Sequence, residues 1–132
     1  MTKVSQILFM VSVFAALACG GFPVNGSGSQ EGDWAAIVAL EEEAKVIAKT
    51  TGCSSVSQCR AAPVGNRACG GPRYYIPYCS LSTDSVALFR KLDEVARAER
   101  AYNAKYGIGS TCEFRSPPPL TLSGGECRAV GQ

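Results

Sequence analysis

The chain has 132 residues, of which 46% are hydrophobic and 18% are charged. This length predicts one domain, and the composition excludes a disordered polar tail and a multi-span membrane protein. The net charge is only +2, so the chain lacks the positive charge of a nucleic-acid-binding protein. It contains no histidine. This excludes Ser-His-Asp and Cys-His catalysis and any histidine-ligated metal site within the chain.

Residues 1–18 have the pattern of a signal peptide. Lys3 supplies a positive charge near the N-terminus, and Ile7–Ala18 is an apolar run broken only by Ser12. A membrane-spanning helix needs about 20 apolar residues. The run is therefore short for a membrane span and favours export; a short permanent anchor is the alternative.

Two overlapping processing signals end at or directly before Cys19. Ala16-Leu17-Ala18 fits ordinary signal peptidase, and Ala15–Cys19 resembles a bacterial lipobox, in which the cysteine is acylated and becomes the first residue. Setting Cys19 aside leaves six cysteines, an even number that suits an oxidising compartment. We expect a palmitate-bearing lipoprotein anchored to a bacterial envelope membrane, with residues 19–32 as a flexible Gly/Ser-rich tether. Ordinary cleavage to a periplasmic or secreted protein is the alternative.

Two segments have the three- and four-residue hydrophobic spacing of amphipathic helices. The first is predicted over Asp33–Thr51, with its first residue as the N-cap and Gly52 as the C-cap. The second is predicted over Thr83–Tyr106, with Ser82 or the first residue itself as the N-cap and a Schellman ending at Gly107. The main apolar stripe of the second helix contains Leu88, Leu92, Val95, Tyr102 and Tyr106.

Four short segments have the composition of β-strands: Arg60–Val64, Arg73–Cys79, Thr111–Arg115 and Cys127–Val130. The run Pro117–Pro119 predicts an extended connection between the last two, because proline fixes the backbone and donates no hydrogen bond. Together these elements predict an α+β fold in which two helices pack on a small antiparallel sheet. We expect residues 33–132 to form this single cysteine-rich domain.

The six cysteines of the domain are Cys53, Cys59, Cys69, Cys79, Cys112 and Cys127. In an exported protein they are predicted to form disulfides, and six cysteines allow 15 pairings. Short spacing favours only the pair Cys53 and Cys59. A zinc site is the alternative, but the chain has no C-x-x-C pair. A reactive thiol at Cys69, activated by Arg67 or Arg73, is a weaker alternative still. We therefore predict no metal ion and no cofactor.

The central part of the chain carries a recognisable series of short motifs. They are Cys59-Arg60, Pro63-Val64-Gly65, Ala68-Cys69-Gly70-Gly71-Pro72, Tyr75, Tyr78, Ser80, Thr83-Asp84 and Gly109–Cys112. In these motifs Cys53–Cys112 resembles a family of small exported bacterial proteins, often predicted lipoproteins, with no established activity. The resemblance implies location and style of fold but no mechanism. Cys79 departs from the family pattern, which has serine there, so the family implies no disulfide pairing for this chain.

The sequence favours a non-enzymatic envelope protein that binds an unknown envelope or extracellular partner. Its predicted binding surface lies within Cys53–Cys79, because arginine and tyrosine dominate protein interfaces. The candidate binding residues are Arg60, Arg67, Arg73, Tyr74, Tyr75 and Tyr78. The alternative is that these arginines are solvated, or neutralised by Glu41–Glu43.

A secreted protease or lysozyme inhibitor is the second functional hypothesis. In it a cysteine-framed loop presents Arg60 or Arg67 to the specificity pocket of the target enzyme, and the rigidity of the loop lowers the entropic cost of binding. An enzyme is not expected, and no catalytic residue is predicted. Consecutive acids such as Glu41–Glu43 point in different directions on a helix and cannot converge on a substrate.

Overall fold

A computed structural model describes residues 28–131. The elements in chain order are α1 (Gln30–Ile47), a short 3-10 turn (Val56–Gln58), β1 (Cys59–Val64), β2 (Tyr74–Cys79), α2 (Ser85–Tyr106), β3 (Leu120–Ser123) and β4 (Glu126–Ala129). The predicted α+β class is confirmed. The predicted signal peptide, Cys19 and most of the tether lie outside the described residues. Within 28–131 neither helix is long and apolar enough to cross a bilayer.

The two helices pack antiparallel to each other. Asp33 in the first turn of α1 contacts Lys105 at the end of α2, whereas Glu43 near the end of α1 pairs with Lys91 near the start of α2. Their facing sides are apolar, as the periodicity predicts. The buried apolar residues of these sides are Ile37, Ala44, Leu88, Leu92 and Val95.

Helix α1 begins and ends earlier than predicted. Ser29 caps it instead of Asp33, by accepting a hydrogen bond from the Gly32 N–H at 3.1 Å. The helix ends at Ile47, so Gly52 is not its C-cap. The reason is tertiary: the carbonyls of residues 49 and 50 accept hydrogen bonds from the N–H groups of residues 79 and 127, at 2.7 and 2.8 Å. To make these bonds, residues 49 and 50 leave the helical path.

Helix α2 matches its prediction closely. Its N-cap is Asp84, which accepts from the Ala87 N–H at 2.9 Å, and not Ser82 or Thr83. The predicted ending is confirmed: Gly107 has a φ of 60°, and the Ile108 N–H donates to an earlier carbonyl of the last turn at 3.0 Å.

Strands β1 and β2 form an antiparallel ribbon, with Cys59 opposite Cys79 and Val64 opposite Tyr74. One face of this ribbon packs on the helices. The other face meets a second antiparallel ribbon, made of β3 and β4. The four strands therefore form two ribbons and not the single sheet that was expected. Pro63 in β1 and Pro77 in β2 explain this, because proline offers no N–H to a further strand.

The predicted strand Thr111–Arg115 is wrong. Residues 108–119 form neither helix nor strand, and β3 begins only at Leu120, after the three prolines. We call residues 108–119 the strap. The predictions Arg60–Val64 and Arg73–Cys79 agree with β1 and β2 to within one residue, and Cys127–Val130 agrees with β4 to within one residue.

The six cysteines form three disulfides: Cys53–Cys79, Cys59–Cys127 and Cys69–Cys112. The Cα atoms of each pair are 5.3–5.6 Å apart, the usual separation for a disulfide. The favoured local pair of Cys53 with Cys59 is wrong. The segment after α1 lies beside the end of β2, where the Cys79 N–H donates to the Lys49 carbonyl, and Cys79 rather than Cys59 bonds to Cys53. The first two disulfides lie in a buried cluster between the ribbons, whereas both cysteines of the third are exposed.

Replacing Leu88 by alanine should lower the free energy of unfolding by about 3 kcal/mol. Leu88 is fully buried in the core between the helices and the first ribbon, and the substitution leaves a cavity there. Val86, on the same helix, is 79% exposed, so Val86→Ala should change stability by less than about 0.5 kcal/mol. Urea unfolding of the oxidised protein measures both values. Equal losses in the two variants would contradict this assignment of the core.

Candidate functional site

The six candidate binding residues do not share one surface. Tyr78 is buried, and its ring lies edge-on to that of Phe89 with the centroids 6.2 Å apart. Arg60 is exposed at the start of β1 and donates to the carbonyls of Ser57 and Cys59. The other four residues lie near the opposite end of the first ribbon, where the chain turns between β1 and β2. Two of them face the helices and two face the strap.

Arg73 lies between the two helices and the ribbon. Its guanidinium group pairs with Glu41 of α1 and with Glu99 of α2, the latter at 2.8 Å. The Glu41 and Glu99 side chains are only 9% and 4% exposed. The Tyr74 hydroxyl also donates to Glu41. The alternative that Glu41–Glu43 neutralise the arginines is therefore confirmed for Arg73, which is a structural cation at this position.

The surroundings of this ionic cluster shift the pKa of three groups. Burial opposes the ionisation of Glu41, but hydrogen bonds from Tyr74 and Arg73 outweigh it and hold the pKa of Glu41 below its usual range. Burial also opposes the charge on Arg73, yet its two carboxylate partners raise its pKa. Burial, followed by the adjacent Glu41, raises the pKa of Tyr74 to about 12. At neutral pH Glu41 and Arg73 are therefore charged, and the Tyr74 phenol is neutral.

Gly65 allows the ionic cluster to close. It has a φ of +79°, and a Cβ atom there would collide with the Glu99 carboxylate and lie 2.8 Å from the Arg73 Nε atom. The next residue, Asn66, donates its backbone N–H to Glu99 at 2.8 Å. The turn after β1 thus supplies a further donor to the cluster because it has no side chain at position 65.

Arg67 and Tyr75 meet the strap. The guanidinium group of Arg67 donates to the backbone carbonyls of Thr111, at 3.4 Å, and of Glu113. The Tyr75 hydroxyl donates to the carbonyl of Arg115 at 3.1 Å. Arg67 therefore points inward, to main-chain oxygens, and pairs with no carboxylate of residues 28–131.

The Cys69–Cys112 disulfide reinforces this junction, since it joins the turn between β1 and β2 to the middle of the strap. The Cys69 N–H also donates to the Ser110 hydroxyl at 2.9 Å. The strap is thus fixed to the first ribbon by one covalent bond and several hydrogen bonds.

An open cavity of about 420 Å³ lies between this junction and the helices. The rings of Trp34 and Tyr102 lie in its wall with centroids 5.3 Å apart, and the Arg73 guanidinium lies 5.1 Å from the Trp34 ring centroid. The Arg67 Nε atom is buried and has no hydrogen-bond partner in the described part of the chain. The cavity combines aromatic walls with charged groups, as ligand pockets do.

Three cysteine sulfur atoms lie within 4.8 Å of one another, those of Cys53, Cys59 and Cys127. All three belong to disulfides in this structure. Since metal ions bind cysteine as the thiolate, these sulfurs are not ligands in the oxidised protein.

Sequence reasoning missed Glu99 and Trp34. Glu99 lies on the apolar stripe of α2, four residues after Val95 and three before Tyr102, and a charged residue in such a stripe indicates a buried ion pair. Glu41 gives the same signal on α1, four residues after Ile37. Trp34 gave no comparable signal, because nothing in the sequence places it beside Arg73.

Comparison with known proteins gives no match: no family model, no curated protein and no solved structure is significantly similar to this chain. The resemblance to small exported proteins therefore stays an expectation.

Replacing Arg73 by methionine should lower the free energy of unfolding at neutral pH by about 3 kcal/mol, because the buried Glu99 carboxylate loses its cation and Glu41 keeps only Lys45, at 3.2 Å. The loss should shrink in acid, where protonation removes the charge of Glu41. Arg128 pairs with Glu126 at the surface, so Arg128→Met should change stability by less than about 1 kcal/mol. Urea unfolding at several pH values measures both. An equal effect of the two variants would contradict a structural role for Arg73.

The lowered pKa of Glu41 predicts a specific pH dependence. Ionised Glu41 stabilises the fold above the ordinary carboxyl pKa of 4.5, and this contribution is lost as the pH falls through the lower pKa of the folded state. In Glu41→Gln the contribution is absent, so the stability difference between the two proteins should narrow below about pH 4.5. Thermal unfolding between pH 7 and pH 3 tests this, and a constant difference would contradict it.

Proposed function

We propose that this chain is an exported, lipid-anchored protein of a bacterial envelope, whose disulfide-braced domain binds another protein and performs no reaction of its own. Cys19 would carry the acyl chains, and residues 19–27 would separate the domain from the membrane surface. The bound partner would be an envelope or extracellular protein.

The observation that carries this proposal is that all six cysteines of residues 28–131 are paired. Disulfides persist in oxidising compartments and are rare in the reducing cytosol, so three of them support export. The pairing also leaves Cys19 as the odd cysteine, directly after an apolar leader. An odd cysteine at that place fits acylation better than it fits a further disulfide.

A non-enzymatic role is supported by the state of the buried acids. The carboxylates of Glu41 and Glu99 both pair with Arg73, and Glu41 also accepts from Tyr74. Their hydrogen-bonding capacity is used within the fold, so neither is placed to exchange protons with a substrate. This favours binding over acid–base chemistry.

The inhibitor hypothesis with Arg60 or Arg67 as the inserted residue is less well supported. Arg67 donates to two strap carbonyls, and Arg60 donates to carbonyls beside it on the chain. Insertion into a specificity pocket would break these bonds. If the domain blocks a protease, another residue must enter the pocket.

Mass spectrometry of the mature protein from a bacterial expression host tests this proposal. The expected product begins at Cys19, carries acyl chains and is six hydrogens lighter than its reduced form, two for each disulfide. Cys19→Ala should lose the acyl mass and the membrane association but keep the three disulfides. Recovery of the full-length chain from the cytosol, with its leader attached and its thiols free, would overturn the proposal.

A further inference from the structure

The strap is exposed to solvent but firmly attached to the rest of the domain. Its residues 109–117 are all exposed, and the Phe114 side chain is 88% exposed. A large apolar side chain held in water is unfavourable by about 1.5–3 kcal/mol relative to burial. Exposed loops are commonly mobile, but this one is fixed by the Cys69–Cys112 disulfide and by Arg67 and Tyr75.

The attachment points alternate along the strap. The carbonyls of Thr111, Glu113 and Arg115 accept hydrogen bonds from the scaffold side chains. A spacing of two residues is that of an extended chain, in which alternate carbonyls point to the same side. The strap therefore runs past the first ribbon as an extended segment, held by side chains where a sheet would use a neighbouring strand.

The opposite edge of the strap is unpaired. The carbonyls of Cys112 and Phe114 accept no hydrogen bond from any described residue, and the N–H groups of residues 113–116 donate none. An extended segment with free main-chain groups and a projecting side chain is what a strand-binding cleft recognises: the main chain supplies affinity and the side chain supplies specificity.

We propose that the strap is an inhibitory docking segment that occupies the substrate cleft of a serine endopeptidase, with Phe114 in an apolar specificity pocket. This rests on the proposed function of an exported binding protein and names its partner. The target class follows from the exposed residue: a deep apolar pocket that accepts an aromatic side chain, as in chymotrypsin-like enzymes.

The hydrogen bonds select Phe114 over its neighbours. In a serine endopeptidase the carbonyl of the inserted residue must reach the oxyanion hole. The Phe114 carbonyl is free to do so, whereas the carbonyls of Glu113 and Arg115 on either side are held by the scaffold. Arg115 as the inserted residue would have to give up its bond from Tyr75. Arg67 then acts as an internal brace for the strap.

The same contacts favour inhibition over digestion. A segment already fixed in the bound conformation loses little entropy on binding. If water hydrolyses the Phe114–Arg115 bond, the carbonyl carbon gains a hydroxyl and the departing nitrogen gains a proton. Both pieces stay covalently attached to the domain, the first through Cys69–Cys112 and the second through Cys59–Cys127. The new ends therefore stay near each other, which favours remaking the bond.

The test is inhibition of purified chymotrypsin by the oxidised mature protein, with a chromogenic peptide as the reporter substrate. We expect competitive inhibition with an inhibition constant below about 1 µM. Phe114→Ala should weaken it about 100-fold, as loss of a central interface residue does. Val56→Ala removes a side chain that is 51% exposed and lies outside the strap, and it should leave inhibition unchanged. Phe114→Arg should transfer inhibition to trypsin, whose pocket contains an aspartate.

The attachment of the strap is tested separately by Tyr75→Phe, which removes the hydrogen bond from Tyr75 to the Arg115 carbonyl and little volume. Chymotrypsin should cleave this variant at Phe114–Arg115 about tenfold faster than the unchanged protein, because the strap is less firmly held. Mass spectrometry detects the cleavage as the added mass of one water. Urea unfolding should show that the variant is folded.

Several results would overturn the proposal. The protein with all three disulfides formed could fail to inhibit chymotrypsin, or chymotrypsin could cleave it rapidly as an ordinary substrate. Inhibition could also survive Phe114→Ala. Finally, the protein could inhibit trypsin and lose that inhibition in Arg115→Ala. A concentration-dependent dimer without inhibition would show that the free edge pairs with a second copy. Each is distinguishable from a failure of the proposed function, because acylation at Cys19 and the disulfide count are measured independently of any protease.

Discussion

The buried Arg73 guanidinium joins both helices to the first ribbon. It pairs with Glu41 of α1 and Glu99 of α2, and it precedes β2 directly. Removing these charges from water is costly, and the cost is met only where the remaining hydrogen bonds are also satisfied. Tyr74 and the Asn66 N–H supply them. The position of the turn between β1 and β2 thus depends on one ionic cluster.

The opposite end of the ribbon is held by covalent bonds. Cys59 and Cys79 face each other there, and their disulfides lead to Cys127 of the second ribbon and to Cys53. The apolar core lies between the ionic end and the disulfide end. The ionic cluster and the disulfides both make this small domain rigid. The exposed segments attached to it are therefore held in defined positions.

The helices and the first ribbon could be predicted because local patterns determine them. Leu88, Leu92 and Val95 mark the buried face of α2, and Gly107 ends it. The end of α1 and the disulfide pairing could not be predicted, because both depend on contacts between distant segments. The chain leaves α1 where Lys49 meets Cys79, thirty residues away. The acids on the apolar stripes did signal a buried cation, but not which arginine would supply it.

The contacts of the strap explain why the strand predicted at Thr111–Arg115 does not form. Thr111–Arg115 has the composition of a strand, and the carbonyls of residues 111, 113 and 115 that accept hydrogen bonds have the spacing of one. The side chains of Arg67 and Tyr75 take the place of a neighbouring strand, so one edge is held while the other keeps its hydrogen-bonding groups. Two of the six residues expected to touch a partner, Arg67 and Tyr75, instead hold the strap through its main-chain carbonyls. In the proposed binding role, the contacts at this end of the domain come from the backbone that Arg67 and Tyr75 position, more than from their own side chains.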